Sequence, residues 1–242
     1  MLYEIVFILI NTLTNTTIMP HTSINEDYTS ENLALHYLVR QPTVKTSTHK
    51  AIILLHGVGS NEQDLFSLAD QLPGDYYIVA ARGQYTLGPG RYAWYNVDFS
   101  TGKPVINAGQ ELSSRELLKQ FIGQLKQKYS LDEVYIGGFS QGAIMSYSIG
   151  LTSPEQVRGI MALSGRVLET IQASVTGNNR LSRLKVFVAH GTQDGTLPVF
   201  YAQQAKTFLQ TLNVSLTYHE YTMGHQINAD VLEDLVAWLK KD

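Results

Sequence analysis

The sequence predicts an α/β fold with a mostly parallel central sheet and helices on both faces. Strand-like and helix-like apolar runs alternate along the chain, a pattern that builds such sheets. Several short runs are apolar throughout rather than alternating, which suits strands buried on both faces. No linker interrupts the 242 residues, and 44% of them are apolar, enough for a sizeable core.

The elements follow in order. Leu33–Val39 reads as an early strand, and Ala51–Leu55 as a central one ending at His56-Gly57. Asn61 caps a helix carrying Leu65, Leu68, Ala69 and Leu72, which Pro73-Gly74 stops. Tyr76–Ala81 is the next strand. Arg82–Gln110 follows as a long irregular stretch rich in glycine and aromatic residues, and loops of that length are often functional. Glu111–Lys128 returns to helical spacing through Leu117, Leu118, Phe121 and Leu125. Then come a strand at Val134–Ile136, a helix at Gln141–Leu151, and strands at Gly159–Leu163 and Leu184–His190. A helix at Val199–Leu212, a strand at Leu216–Tyr221 and a helix at Val231–Leu239 close the chain.

The bulk numbers exclude several function classes. Charged residues are 16% of the chain and the net charge is −3, with no Lys/Arg cluster, so nucleic acid is not an expected partner. The absence of cysteine removes disulfides, thiolate metal sites and a cysteine nucleophile. Leu2–Ile10 is apolar apart from Glu4, too short for a transmembrane segment and without the flanks of a signal peptide. Residues 1–30 are read as a separate N-terminal segment, with translation beginning at Met19 as one hypothesis, and residues 31–242 as the folded domain. A cytoplasmic location is expected, with export left open by the apolar start.

Gly138-Phe139-Ser140-Gln141-Gly142 fits G-x-S-x-G between a predicted strand and a predicted helix. A sharp strand-to-helix turn there would expose Ser140 Oγ, and the helix would point its positive end at it. The bland alternatives are a glycine-rich turn or a phosphate loop, but no Walker-type lysine follows. A serine nucleophile needs a histidine base oriented by a carboxylate, in the order Ser, Asp/Glu, His. Of the histidines after Ser140, His225 sits in a loop past the last strand and is the favoured base. His190 ends a strand, where a structural role is expected, and His219 lies within one. Asp194, directly after a strand, is the favoured acid, with a turn or cap role as its bland alternative; Glu169 and Glu220 are the other candidate acids, but neither follows a strand end in the same way. The oxyanion donors are expected to be the backbone N–H groups of Gln141 and of Val58 in His56-Gly-Val-Gly59. His56 has no second ligand at zinc spacing, so no metal is expected, and it is read as fixing its loop.

Four blocks in order, Leu55-His-Gly-Val-Gly59, Gly138-Phe-Ser-Gln-Gly142, His190-Gly-Thr-Gln-Asp194 and Met223-Gly-His225, resemble the phospholipase/carboxylesterase family of α/β hydrolases, which includes the acyl-protein thioesterases. The resemblance runs from about Leu35 to Leu239. It implies an α/β-hydrolase fold and cofactor-free hydrolysis of small-molecule carboxylic esters or thioesters. It also implies Ser140, Asp194 and His225 as the triad, with Val58 and Gln141 as oxyanion donors. Family members commonly carry Trp-Phe/Tyr-Asp near the site; here Trp94-Tyr95 is followed by Asn96. Trp94, Tyr95 and Leu197 are expected to wall the substrate pocket, with anchoring of the long loop as the alternative for the two aromatics. One long loop and no large cap domain suggest an open site for small to medium acyl groups. A lysophospholipase or peptidase on the same fold, and a catalytically silent ligand-binding homologue, stand as the alternatives. A homodimer is left open, since dimers occur in the family.

Overall fold

A computed structural model describes residues 33–98, 100, 104–175 and 179–241. The expectations for residues 1–30 fall outside these. Seven strands form the main sheet in the order β1-β3-β2-β8-β9-β10-β11. They are β1 (Tyr37–Arg40), β2 (Lys50–Leu55), β3 (Tyr76–Ala81), β8 (Glu133–Phe139), β9 (Gly159–Leu163), β10 (Lys185–Gly191) and β11 (Ser215–Tyr221). Only β1, at the edge, pairs antiparallel; the other pairs are parallel.

Successive β2 side chains point to opposite faces, as the two-residue strand period requires. Ala51, Ile53 and Leu55 join one buried cluster, and Ile52 and Leu54 the other. Because both faces are covered, the strand is apolar along its length. Helices α2 (Ala108–Tyr129), α3 (Gln141–Thr152), α4 (Glu169–Ser174) and α5 (Phe200–Thr211) contribute to the first cluster. Helices α1 (Glu62–Phe66) and α6 (Ala229–Leu239) contribute to the second. Right-handed crossovers explain the division. The chain steps one way from β2 through α1 to β3, and the other way from β8 through α3, α4 and α5 to β11. The direction therefore reverses between β2 and β8, whose following helices leave on opposite faces. Ligands bind at such a switch point, beyond the carboxyl ends of the strands.

The structure adds detail that the pattern missed. The helix expected through Leu72 stops at Phe66, where Ser67 Oγ donates to the Asp64 carbonyl (2.5 Å), and a short 3₁₀ turn covers residues 69–71. Arg82–Gln110 is less irregular than expected. It holds a hairpin of β4 (Tyr85–Gly88) and β5 (Arg91–Ala93), then a short pair of β6 (Val97–Asp98) and β7 (Val105–Ile106). Helix α2 starts at Ala108, capped by Asn107. Helix α4 was not foreseen; six residues are too few to show a helical period.

Candidate active site

Four loops beyond the carboxyl ends of β2, β8, β10 and β11 build the site. Ser140 directly follows β8 and caps α3 with φ 54° and ψ −113°, a left-handed conformation costly for a residue with a side chain. Its N–H donates to the Leu163 carbonyl (2.9 Å), which helps hold the turn against β9. The turn also demands Gly142, because a Cβ there would collide with the backbone of Leu55 and His56.

His225 Nε2 lies 2.9 Å from Ser140 Oγ, and its Nδ1 lies 2.7 Å from Asp194 Oδ2. A carboxylate only accepts, so Nδ1 carries the proton and Nε2 presents its lone pair to the serine hydroxyl. Gly191 permits the approach of these loops, since a Cβ there would meet the carbonyls of Met223 and Gly224. Phe139 packs its ring 4.7 Å from the His225 ring.

The Asp194 side chain is fully buried. Its Oδ1 accepts from the N–H groups of Thr196 (2.9 Å) and Leu197 (2.8 Å). His190, also fully buried, reaches its Oδ2 with Nε2 at 3.3 Å. The same Nε2 is 2.7 Å from the Leu197 carbonyl, which also only accepts, so His190 donates there. Burial opposes the Asp194 charge, but the bonds from His190, His225 and Leu197 outweigh it and hold the carboxyl far below its usual range. His190, expected to be structural, stands directly against Asp194. The signal was available: it is four residues from Asp194, at the end of the same strand.

On the β2 side, His56 bridges two loops. Its Nε2 accepts from Gly83 N–H (3.0 Å), which leaves Nδ1 to donate to the Gly57 carbonyl (2.7 Å). Burial lowers its pKa and favours this neutral form. Gly59 N–H then ties the turn to the Tyr92 carbonyl (2.8 Å). The N–H groups of Val58 and Gln141 have no acceptor among the described residues. Gln141 does more than lend its backbone. Its buried side chain accepts from Trp94 N–H (2.8 Å) and donates to the Tyr95 carbonyl (2.7 Å).

Trp94 and Tyr95 are each 1% exposed. Of the two readings given for them, pocket wall and loop anchor, their burial fits the anchor. Trp94 Nε1 donates to the His56 carbonyl (3.0 Å), and both rings belong to the core, so they anchor the loop from beneath. Leu197 is half-buried and flanks Asp194 through its backbone.

Fold and geometry together define the class: an α/β hydrolase with a serine–histidine–aspartate hydrogen-bond chain at its switch point. A sequence profile of the phospholipase/carboxylesterase family matches residues 38–242, and the chain belongs to that family. It is 32% identical to acyl-protein thioesterase 1 of Saccharomyces cerevisiae, over 79% of this chain and 92% of that one. It is 26% identical to the Kluyveromyces lactis protein of the same name, over 84% and 96%. Among solved structures, the carboxylesterase of Bacillus cereus superposes with a TM-score of 0.75 at 23% identity, covering 87% of this chain and 95% of that one, a likeness of fold. The chain is thus a hydrolase of the carboxylesterase type. No helix among the described residues is long and apolar enough to cross a membrane.

Proposed function

We propose that the protein cleaves carboxylic esters, and thioesters as its named relatives do, through an acyl enzyme on Ser140. His225 Nε2 takes the proton of Ser140 Oγ as Oγ attacks the acyl carbon. The N–H groups of Val58 and Gln141 hold the oxyanion, and the positive end of α3 adds to them. The His225 imidazolium, steadied by Asp194, gives its proton to the departing alcohol or thiol. A water then loses its proton to His225 and attacks the acyl carbon, and Ser140 recovers a proton as the acid leaves. Leu197 borders the path of the substrate.

The observation that carries this reading is the continuous chain from Asp194 through His225 to Ser140, at 2.7 and 2.9 Å, on a strained turn. Hydrolysis of p-nitrophenyl esters and of acyl thioesters tests it. Ser140→Ala is expected to lower turnover on both by roughly four to six orders of magnitude, with the fold intact by circular dichroism. Activity within about tenfold of wild type in the folded variant would exclude Ser140 as the nucleophile.

A further inference from the structure

Resting on the hydrolase reading, we infer that Arg166 recognises a carboxylate on the non-reacting arm of the ester, held in a groove that Arg166 lines three residues past the strand end bonded to Ser140. Strand β9 lies between β8 and β10, and the chain leaves it in a bridge between their loops. Ser140 N–H donates to Leu163, and Ser164 N–H to Ala189 (2.9 Å each). Gly165 then abuts the first turn of α3, where a Cβ would strike Ala143. Arg166 is the next residue. Its guanidinium stacks over the ring of Tyr201, 5.1 Å from the centroid, in the first turn of α5. It is held on the rim between the serine's helix and the helix that follows the Asp194 loop.

Among the described residues this guanidinium has no hydrogen bond and no carboxylate partner, and its Nε is buried. An unanswered buried donor is costly, and a guanidinium is always charged. An oxygen ligand bridging Nε and a terminal N–H would satisfy it, and a carboxylate matches that fork. Arg166 lines a groove of about 860 Å³ whose walls include Val105, Leu168, Phe200 and Phe208. Val105 is 51% and Phe200 57% exposed, so a short apolar arm would cover surface now facing solvent. Two carboxylates also line the groove. Glu111 faces Arg115 at 3.6 Å, and Glu169 stands exposed at the start of α4. With Glu111 answered by Arg115 and Glu169 screened by solvent, the single cation of Arg166 suits a monoanion, whereas a dianion such as a phosphate would meet stronger repulsion from the two carboxylates.

The test compares matched neutral and anionic substrates. On the acyl side these are p-nitrophenyl hexanoate and the p-nitrophenyl monoester of adipate. On the alcohol side they are phenyl butyrate and 4-carboxyphenyl butyrate. For each pair the ratio of kcat/KM, anionic over neutral, is measured in wild type, Arg166→Gln and Arg166→Glu. On one arm, the ratio is expected to fall about ten- to a hundredfold in Arg166→Gln, the scale of a charged hydrogen bond, and further in Arg166→Glu. The same ratio in all three proteins on both arms would overturn the inference. Should the variants fail to fold, wild type decides: added salt must lower its anionic-to-neutral ratio on the arm that binds, and a salt-independent ratio on both arms overturns the inference. Wild type inert toward the neutral esters would instead sink the hydrolase reading itself.

Discussion

Asp194 draws three N–H groups onto one buried carboxylate, two from the backbone of Thr196 and Leu197 and one from His225, with His190 Nε2 a further 3.3 Å contact. This arrangement makes its charge part of what holds the loops together. Its pKa lies below the unfolded value, so the stabilisation is fully present above the unfolded pKa and is lost as pH falls toward the folded one. Asp194→Asn is therefore expected to unfold at lower urea than wild type at neutral pH, with the gap narrowing progressively below about pH 4 as the unfolded wild-type chain takes up a proton that the folded carboxyl still refuses. A gap that stays constant down the pH series would mean that the carboxylate charge contributes nothing to stability. Ser140, Asp194 and His225 were legible because each sits beside a local signal, a G-x-S-x-G turn or a strand end, in a fixed order. The roles of Gln141 and Arg166 side chains were not legible. They depend on which loop folds opposite, and no local pattern carries that.

At the level of elements, the nucleophile turn depends on how closely α3 seats against β2. The first turn of α3 lies so near the β2 end that Gly142 has no room for a methyl group against Leu55 and His56. Gly142→Ala must push the helix away from the strand, and with it Gln141 and the loop it clamps. We expect it to cost about 1–3 kcal/mol or more in stability and to lower esterase turnover. An equal melting temperature and equal turnover would show that the contact is not tight. The long apolar strands and helices could be read because burial on two faces, or on one stripe, leaves a period in the residues. The β4–β5 hairpin left a weaker trace. Gly88-Pro89-Gly90 is a turn signal between Tyr85–Leu87 and Arg91–Ala93, but three- and four-residue strands are too short to alternate convincingly. For the same reason, the sequence could not separate aromatics that line a cleft from aromatics that anchor a loop. Trp94 and Tyr95 belong to the second kind only because Gln141 and His56 meet them from other elements.

Across the whole molecule, the reversal of chain direction between β2 and β8 gathers the site. It sends the chain after β2 and the helix after β8 to opposite faces of the sheet, with the loop of Val58 and the turn of Ser140 side by side at their ends. The loops after β10 and β11 then bring Asp194 and His225 to Ser140. The parallel fold class was readable from alternating elements, whereas the strand order was not, because it is set by crossovers that leave no mark in any one segment. The central claim is that this topology arms one serine. Labelling of the folded protein with a fluorophosphonate, followed by peptide mapping, tests it most directly. The account predicts one adduct per chain, on Ser140, and none once the protein is unfolded in urea. An unlabelled folded protein, or an adduct on another serine with Ser140 untouched, would contradict it.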